Sequence, residues 1–276
     1  MIGLSSIVRA PGFVRRSRAC AAATFDDGSR ASTSDVRCHC CTKAATSTSA
    51  TSPIGKVKED IQNATFVTNE TSLGLVMLDS NLGSCSGVLV RNNWVLTAKH
   101  CLQGINADFV IQTRGDGTEP EQATSGIAVA LHPDPNTDVG LLKLATSLSV
   151  NGTTSGYRLN IYGGDFNAAV GAPLACFGYG DANANEASND PNFGRPQGGI
   201  MIVNELLSAT NYQAVPGTSP PQVMMPGDSG GPCYYLFSSS LLLLGIQSLL
   251  FQPGPNAYDQ QVRSDAFASW VNSTAN

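Results

Sequence analysis

From about residue 61 onward, short apolar runs alternate with Gly, Pro, Asn and Asp. The runs are "SLGLVML" (72–78), "CSGVLV" (85–90), "WVLTA" (94–98), "ADFVIQT" (107–113), "SGIAVALH" (125–132), "VGLLKL" (139–144), "PLACFGYG" (173–180), "GGIMIVNEL" (198–206) and "SLLLLGIQSLL" (240–250). Runs of this length with turn punctuation predict an all-β barrel or sandwich. The greasiest segment, 240–251, is interrupted by Gly245, Gln247 and Ser248 and reads as a buried strand pair. Only "RSDAFASWVNS" (263–273) has helical spacing, with Phe267, Trp270 and Val271 on one side, so a short C-terminal helix is expected. No internal repeat is visible.

Upstream the pattern disappears. Residues 42–53, "TKAATSTSATSP", cannot bury a core and read as a flexible linker. The first 25 residues carry Arg9, Arg15, Arg16 and Arg18 and no acid. Their apolar start is broken by Arg9, a poor secretory signal, and the composition suits an organelle transit peptide or a start codon placed upstream of the true signal. Residues 1–57 are therefore read as a disordered targeting or pro-segment, and 58–276 as the folded domain.

Composition narrows the setting. Charged residues make up 13% of the 276, about half the usual ~25%. Ser, Thr, Asn and Gly fill the gap, as suits a secreted surface. A net charge of −5 gives no nucleic-acid footprint, and no apolar run reaches the ~18 residues of a membrane span. Of eight cysteines, Cys20, Cys38, Cys40 and Cys41 precede the folded region. Cys85, Cys101, Cys176 and Cys233 lie within it, an even number that permits two disulfides. Sequons at Asn63, Asn69, Asn151 and Asn272 fit a glycoprotein of the secretory route. "CHCC" (38–41) crowds its ligand atoms and lacks spaced partners, so no metal site is expected there.

Three stretches carry the candidate chemistry: "NNWVLTAKHC" with His100, "NTDVGLLKL" with Asp138, and "PGDSGGP" with Ser229. A serine hydroxyl becomes a useful nucleophile only when an imidazole takes its proton, and the imidazole needs a group to hold its tautomer. Taken singly, His100 and Asp138 also fit a core histidine and a turn aspartate. In this order the three stretches resemble the chymotrypsin-like (trypsin-fold) serine proteases over roughly residues 58–276.

The resemblance implies two six-stranded antiparallel β-barrels with the site between them. It implies a His100–Asp138–Ser229 triad and an oxyanion hole from the Gly227 and Ser229 amides. It also implies disulfides: Cys85–Cys101 beside the histidine, and Cys176–Cys233. The family's usual second bridge would join positions equivalent to Leu174 and Tyr235. Moving two residues along each antiparallel strand keeps the same ladder sum and face.

Val223, Met224, Ser248 and Leu250 are expected to line the substrate site, with Ser248 hydrogen-bonded to the aspartate. Val223 stands where trypsin-like enzymes place an aspartate, and Leu250 narrows the pocket mouth. Small apolar residues before the cleaved bond are thus expected, not Lys or Arg. Lys99 replaces a small residue beside the histidine. A zymogen step would free a new N-terminus near Ile61, to pair with Asp228. No cofactor is implied; the expected partner is a polypeptide substrate, and the expected state a monomer. The rival readings are a non-catalytic binding protein on the same fold (pseudoprotease, inhibitor or adhesin) and an esterase.

Overall fold

The computed structural model describes residues 65–67, 70–81, 83–104, 110–113, 121–180, 194–237, 240–251 and 258–276, all within one compact unit spanning 53–276. The proposed extension 1–57, its four cysteines, Ile61 and the sequons at Asn63 and Asn69 lie outside the described residues.

A two-residue strand β1 (Thr65–Phe66) and one helical turn α1 (Glu70–Leu73) lead into the first barrel. Its strands are β2 (Leu75–Ser80), β3 (Gly83–Arg91), β4 (Trp94–Thr97), β5 (Val110–Thr113), β6 (Gln122–Leu131) and β7 (Gly140–Leu144), with a helical turn α2 (Lys99–Leu102) between β4 and β5. They close in the order β2-β3-β4-β7-β6-β5, because β5 returns to pair with β2. Val76, Leu78, Leu89, Val95, Ile111 and Leu142 fill the inside. Burial of each such side chain contributes about 1.5–3 kcal/mol, so closure and not the short helices stabilises this half.

The second barrel comprises β8 (Pro173–Gly178), β9 (Gln197–Leu206), β10 (Asn211–Pro216), β11 (Pro232–Phe237), β12 (Ser240–Phe251) and β13 (Tyr258–Arg263). Strand β8 pairs with both β9 and β11, which closes the sheet, and β1 is added as a seventh strand along β9. Met201, Val203, Tyr212, Ala214 and Leu244 form its core. Helix α3 (Ser264–Thr274) follows at once, with Phe267 and Val271 buried and Trp270 half-buried. The all-β, two-barrel architecture with a C-terminal helix is thus present. A third apolar cluster joins the halves: Leu75, Val88 and Leu141 pack in one group with Phe177, Tyr234 and Ile246.

One local expectation changes, and one strand carries no apolar pattern. Segment 240–251 is one twelve-residue strand, not a strand pair. Its polar interruptions are absorbed by a register shift between Gln247 and Leu249, and Gly245 gives way to the Tyr212 ring. Strand β13 has no apolar run because two of its buried residues are Asp259 and Gln261. The Tyr212 hydroxyl donates to Gln261 Oε1 in the barrel interior, so polar pairing replaces hydrophobic alternation.

Both disulfides are formed as expected, Cys85–Cys101 and Cys176–Cys233. The second links directly opposed residues of β8 and β11. They span 16 and 57 residues of chain. Replacing Cys176 and Cys233 together by Ala should therefore lower stability by about 4 kcal/mol, against about 3 kcal/mol for Cys85 and Cys101. Urea denaturation of the two double variants checks the order; a reversed order would refute the loop-entropy account.

Candidate active site

Strands β4 and β7 are neighbours, with Thr97 opposite Gly140. His100 lies three residues beyond one partner and Asp138 two residues before the other, so adjacent strand ends bring them together. Asp138 Oδ1 accepts from the His100 backbone N–H at 3.0 Å, and Oδ2 lies 2.8 Å from His100 Nδ1. The Ser248 hydroxyl donates to the same Oδ2 at 2.7 Å. Burial pushes the Asp138 carboxyl up, but the hydrogen bonds from His100 and Ser248 and the nearby imidazole outweigh it and hold the pKa below the ordinary value. An ionised carboxylate only accepts, so Nδ1 carries a proton, and in the neutral imidazole the lone pair is then on Nε2. The imidazole remains 40% exposed, open to a proton donor.

Lys99 is 7% exposed, and its Nζ donates to the Asp134 carbonyl at 2.7 Å. The residue before the histidine thus ties α2 to the loop carrying Asp138. Asp134 also caps that loop, accepting from the Asn136 amide and the Thr137 hydroxyl. His132 has a structural place in it: its ring meets Trp270 edge-on at 5.0 Å, and Nδ1 accepts from the Asp134 amide.

Ser229 sits in the turn entering β11. Gly227 and Gly230 hold φ of +100° and +84°, the left-handed side that favours glycine. A Cβ on Gly230 would stand 2.8 Å from Ala98 N, so the turn is pressed against the end of β4, two residues before His100. The Ser86 amide donates to the Ser229 carbonyl at 2.8 Å, and the Ser86 hydroxyl donates to the Gly227 carbonyl at 2.8 Å. Ser86 follows Cys85, whose disulfide partner Cys101 follows His100. Two links therefore carry the serine turn to the histidine. Within the turn the Asp228, Gly230 and Gly231 amides donate to the carbonyls of Met225, Gln247 and Asp228. Among the described residues, the Gly227 and Ser229 amides have no hydrogen-bond partner.

The expected substrate-site residues separate. Val223 and Met225 pack together with Leu250 against them, and Met224 is buried between the two. Ser248 belongs to the aspartate and not to that wall. Leu249 projects to solvent at 46% exposure.

Beneath the wall lies Asp259, which pattern analysis of the sequence did not single out. It is wholly buried and opposite Leu250 in the ladder, and its Oδ2 accepts from the Met224 amide at 3.0 Å. Its Oδ1 is buried with no hydrogen-bond partner. Burial pushes this carboxyl up to about 7, with the Asp228 charge adding and the Met224 bond opposing. Cys85, His100 and Cys101 also lie together, with ligand atoms within 4.8 Å. Both sulfurs are spent in one disulfide, so the trio offers no thiolate to a metal.

The trypsin family model matches residues 65–271, most of the chain. Chymotrypsin-like elastase family member 1 of Macaca fascicularis is 26% identical over 214 residues, covering 69% of this chain and 78% of the relative. Serine protease SSP1 of Scolopendra subspinipes is 28% identical over 225 residues, covering 68% and 72%. Among solved structures, the scabies mite inactivated protease paralogue S-I1 shares the fold with a TM-score of 0.62 at 20% identity, over 76% of this chain and 97% of that one.

Between these values a carboxyl raised in the fold is protonated there while its unfolded counterpart is ionised, so its stabilisation is complete below the ordinary carboxyl value of 3.8 and lost as pH rises through about 7. Asp259→Asn should therefore lose less stability than wild type between pH 5 and pH 8, by about 2–4 kcal/mol. Urea denaturation at the two pH values checks this; parallel behaviour would show that Asp259 is not raised.

Proposed function

The chain belongs to the trypsin family, and on that premise we propose that it is a serine endopeptidase working through His100, Asp138 and Ser229. The observation carrying this reading is the Asp138 carboxylate, held at 2.8 Å from His100 Nδ1 and fixed from behind by Ser248. That arrangement leaves Nε2 as the base. It takes the Ser229 proton as the hydroxyl attacks the peptide carbonyl, then returns it to the departing amine. Asp138 stays ionised and stabilises the imidazolium. The Gly227 and Ser229 amides receive the oxyanion, and such donors typically supply about 3–4 kcal/mol of transition-state stabilisation. Water then repeats the sequence on the acyl-enzyme.

The packed wall of Val223, Met225 and Leu250 favours a small residue before the cleaved bond over a long cationic one. The disulfides and the low charge content support a secreted enzyme. The exposed sequon at Asn151 offers a glycan site.

A fluorophosphonate probe should label wild-type protein at Ser229. Labelling should fall at least about 100-fold in His100→Ala, and Asp138→Asn should lower kcat by about 10³–10⁴. Folded, processed protein that takes no label would favour a non-catalytic binding role instead.

A further inference from the structure

Lys99 stands immediately before His100 and is 7% exposed. Its Nζ donates to the backbone carbonyl of Asp134 at 2.7 Å. Among the described residues the ion pairs are His100–Asp138 and Arg263–Asp265, so the hydrogen-bond partner of this enclosed ammonium is a neutral group. Withdrawing an ammonium from water without an ion pair is costly. The small residue that the resemblance places here would carry no such cost, so the ammonium calls for a use.

Asp134 is engaged at every polar atom. Its carbonyl accepts from the Thr137 amide as well as from Lys99, its carboxylate accepts from the Asn136 amide and the Thr137 hydroxyl, and its amide donates to His132 Nδ1. The turn so formed ends at Asp138. Two contacts fix it to the second barrel and its helix: the Thr210 hydroxyl donates to the Asn136 carbonyl at 3.1 Å, and Trp270 of α3 meets the His132 ring. Toward α2 the turn has less. Among the described residues, the hydrogen bonds between the two are the one from Lys99 and the two that Asp138 accepts from His100. Without Lys99 the reacting pair would have to hold its own loop.

Resting on the endopeptidase reading, we propose that Lys99 is a positioning residue for the catalytic pair: its ammonium braces the turn that ends at Asp138 against the helical turn that carries His100, and the brace closes only while His132 is uncharged. The condition on His132 follows from the direction of its bond. Nδ1 accepts the Asp134 amide, and an imidazolium, with a proton on both nitrogens, cannot accept. The charged groups that act on His132 are Lys99 from α2 and Asp134 from its own loop, while α3 presents the uncharged Trp270. Burial lowers the His132 pKa below the ordinary 6.5, with the Lys99 charge adding and Asp134 opposing. The ring is therefore neutral at pH 7. As pH falls through its pKa, the Asp134 amide loses its acceptor and a second cation forms beside the Lys99 ammonium.

The test measures kcat and KM of processed enzyme on a peptide anilide with Ala before the cleaved bond. Lys99→Met keeps the length of the side chain and loses the donor. Its kcat should fall about 10- to 100-fold while KM stays within about 2-fold, because alignment of the reacting groups is lost and substrate contacts are not. Lys99→Arg, which restores a donor, should recover part of that kcat. His132→Asn supplies the Asp134 amide with an acceptor that takes no charge. Each profile being scaled to its own plateau, wild-type kcat should drop below that of His132→Asn under pH 6.5, by about 10-fold at pH 5. Should Lys99→Met not fold, the pH comparison decides. Lys99→Met that loses stability but keeps kcat, or acid limbs that run parallel, in enzyme that takes fluorophosphonate at Ser229, overturns this assignment and leaves the endopeptidase reading intact. Wild-type protein that neither labels nor cleaves overturns both.

Discussion

Ser86 is where the two barrels are joined at the site. Its amide donates to the Ser229 carbonyl, its hydroxyl donates to the Gly227 carbonyl, and the same hydroxyl oxygen accepts from the Tyr179 amide at 2.8 Å. Its own carbonyl accepts from the Thr97 hydroxyl at 2.7 Å. One small, wholly buried side chain thus fixes strand β3, the end of β4, the loop after β8 and the serine turn. The apolar cluster between the barrels supplies adhesion but is non-directional. Directional bonds are what fix the turn of Ser229 in one barrel against the strand ends that carry the histidine in the other. A larger residue at position 86 would separate the halves, and one without a hydroxyl would leave the Tyr179 amide and the Gly227 carbonyl short of a partner.

Two buried acids near this seam are handled differently. Asp228 is enclosed where Gly178 and Gly180 leave room for it, and a Cβ at either glycine would run into its carboxyl group. Each of its oxygens accepts a backbone N–H, from Gly180 and from Met225. Asp259 has one amide for two oxygens, and desolvation prevails. Residue type alone does not separate the two; the number of amides turned toward each carboxyl does. The first acid shapes the serine turn from within, and the second holds the Met224 amide from inside the barrel.

Much of this was legible in the sequence, and the reason differs by element. His100, Asp138 and Ser229 were legible together, because their three stretches in this order resemble the family; around Ser229 the glycines fall where φ is positive, and beside His100 a cysteine ties it to β3. The Cys176–Cys233 link followed from the bridge that the resemblance implies at positions 174 and 235, moved two residues along each strand, because antiparallel strands keep opposed residues in step. What pattern reading missed lies where polar groups face inward. Strand β13 carries Asp259 and Gln261 at buried positions, so no apolar alternation marks it. Ser86 looks like any serine in "CSGVLV", because its four bonds reach residues that are distant in the chain or sit on neighbouring strands. Lys99 looked like an irregularity until its ammonium was placed on the Asp134 carbonyl.

Those unread residues share a physical feature. Each is a polar group withdrawn from water, and withdrawal has a cost unless a partner is supplied. Ser86 and Lys99 find theirs within the chain, and the bonds they make set the spacing between His100, Asp138 and the serine turn. Asp259 finds only half of its own. In this chain Ser86 and Lys99, whose polar groups are satisfied, tie the loops of His100, Asp138 and Ser229 together, while Asp259, like Trp94, Thr113 and Asn211, keeps one buried polar atom without a partner.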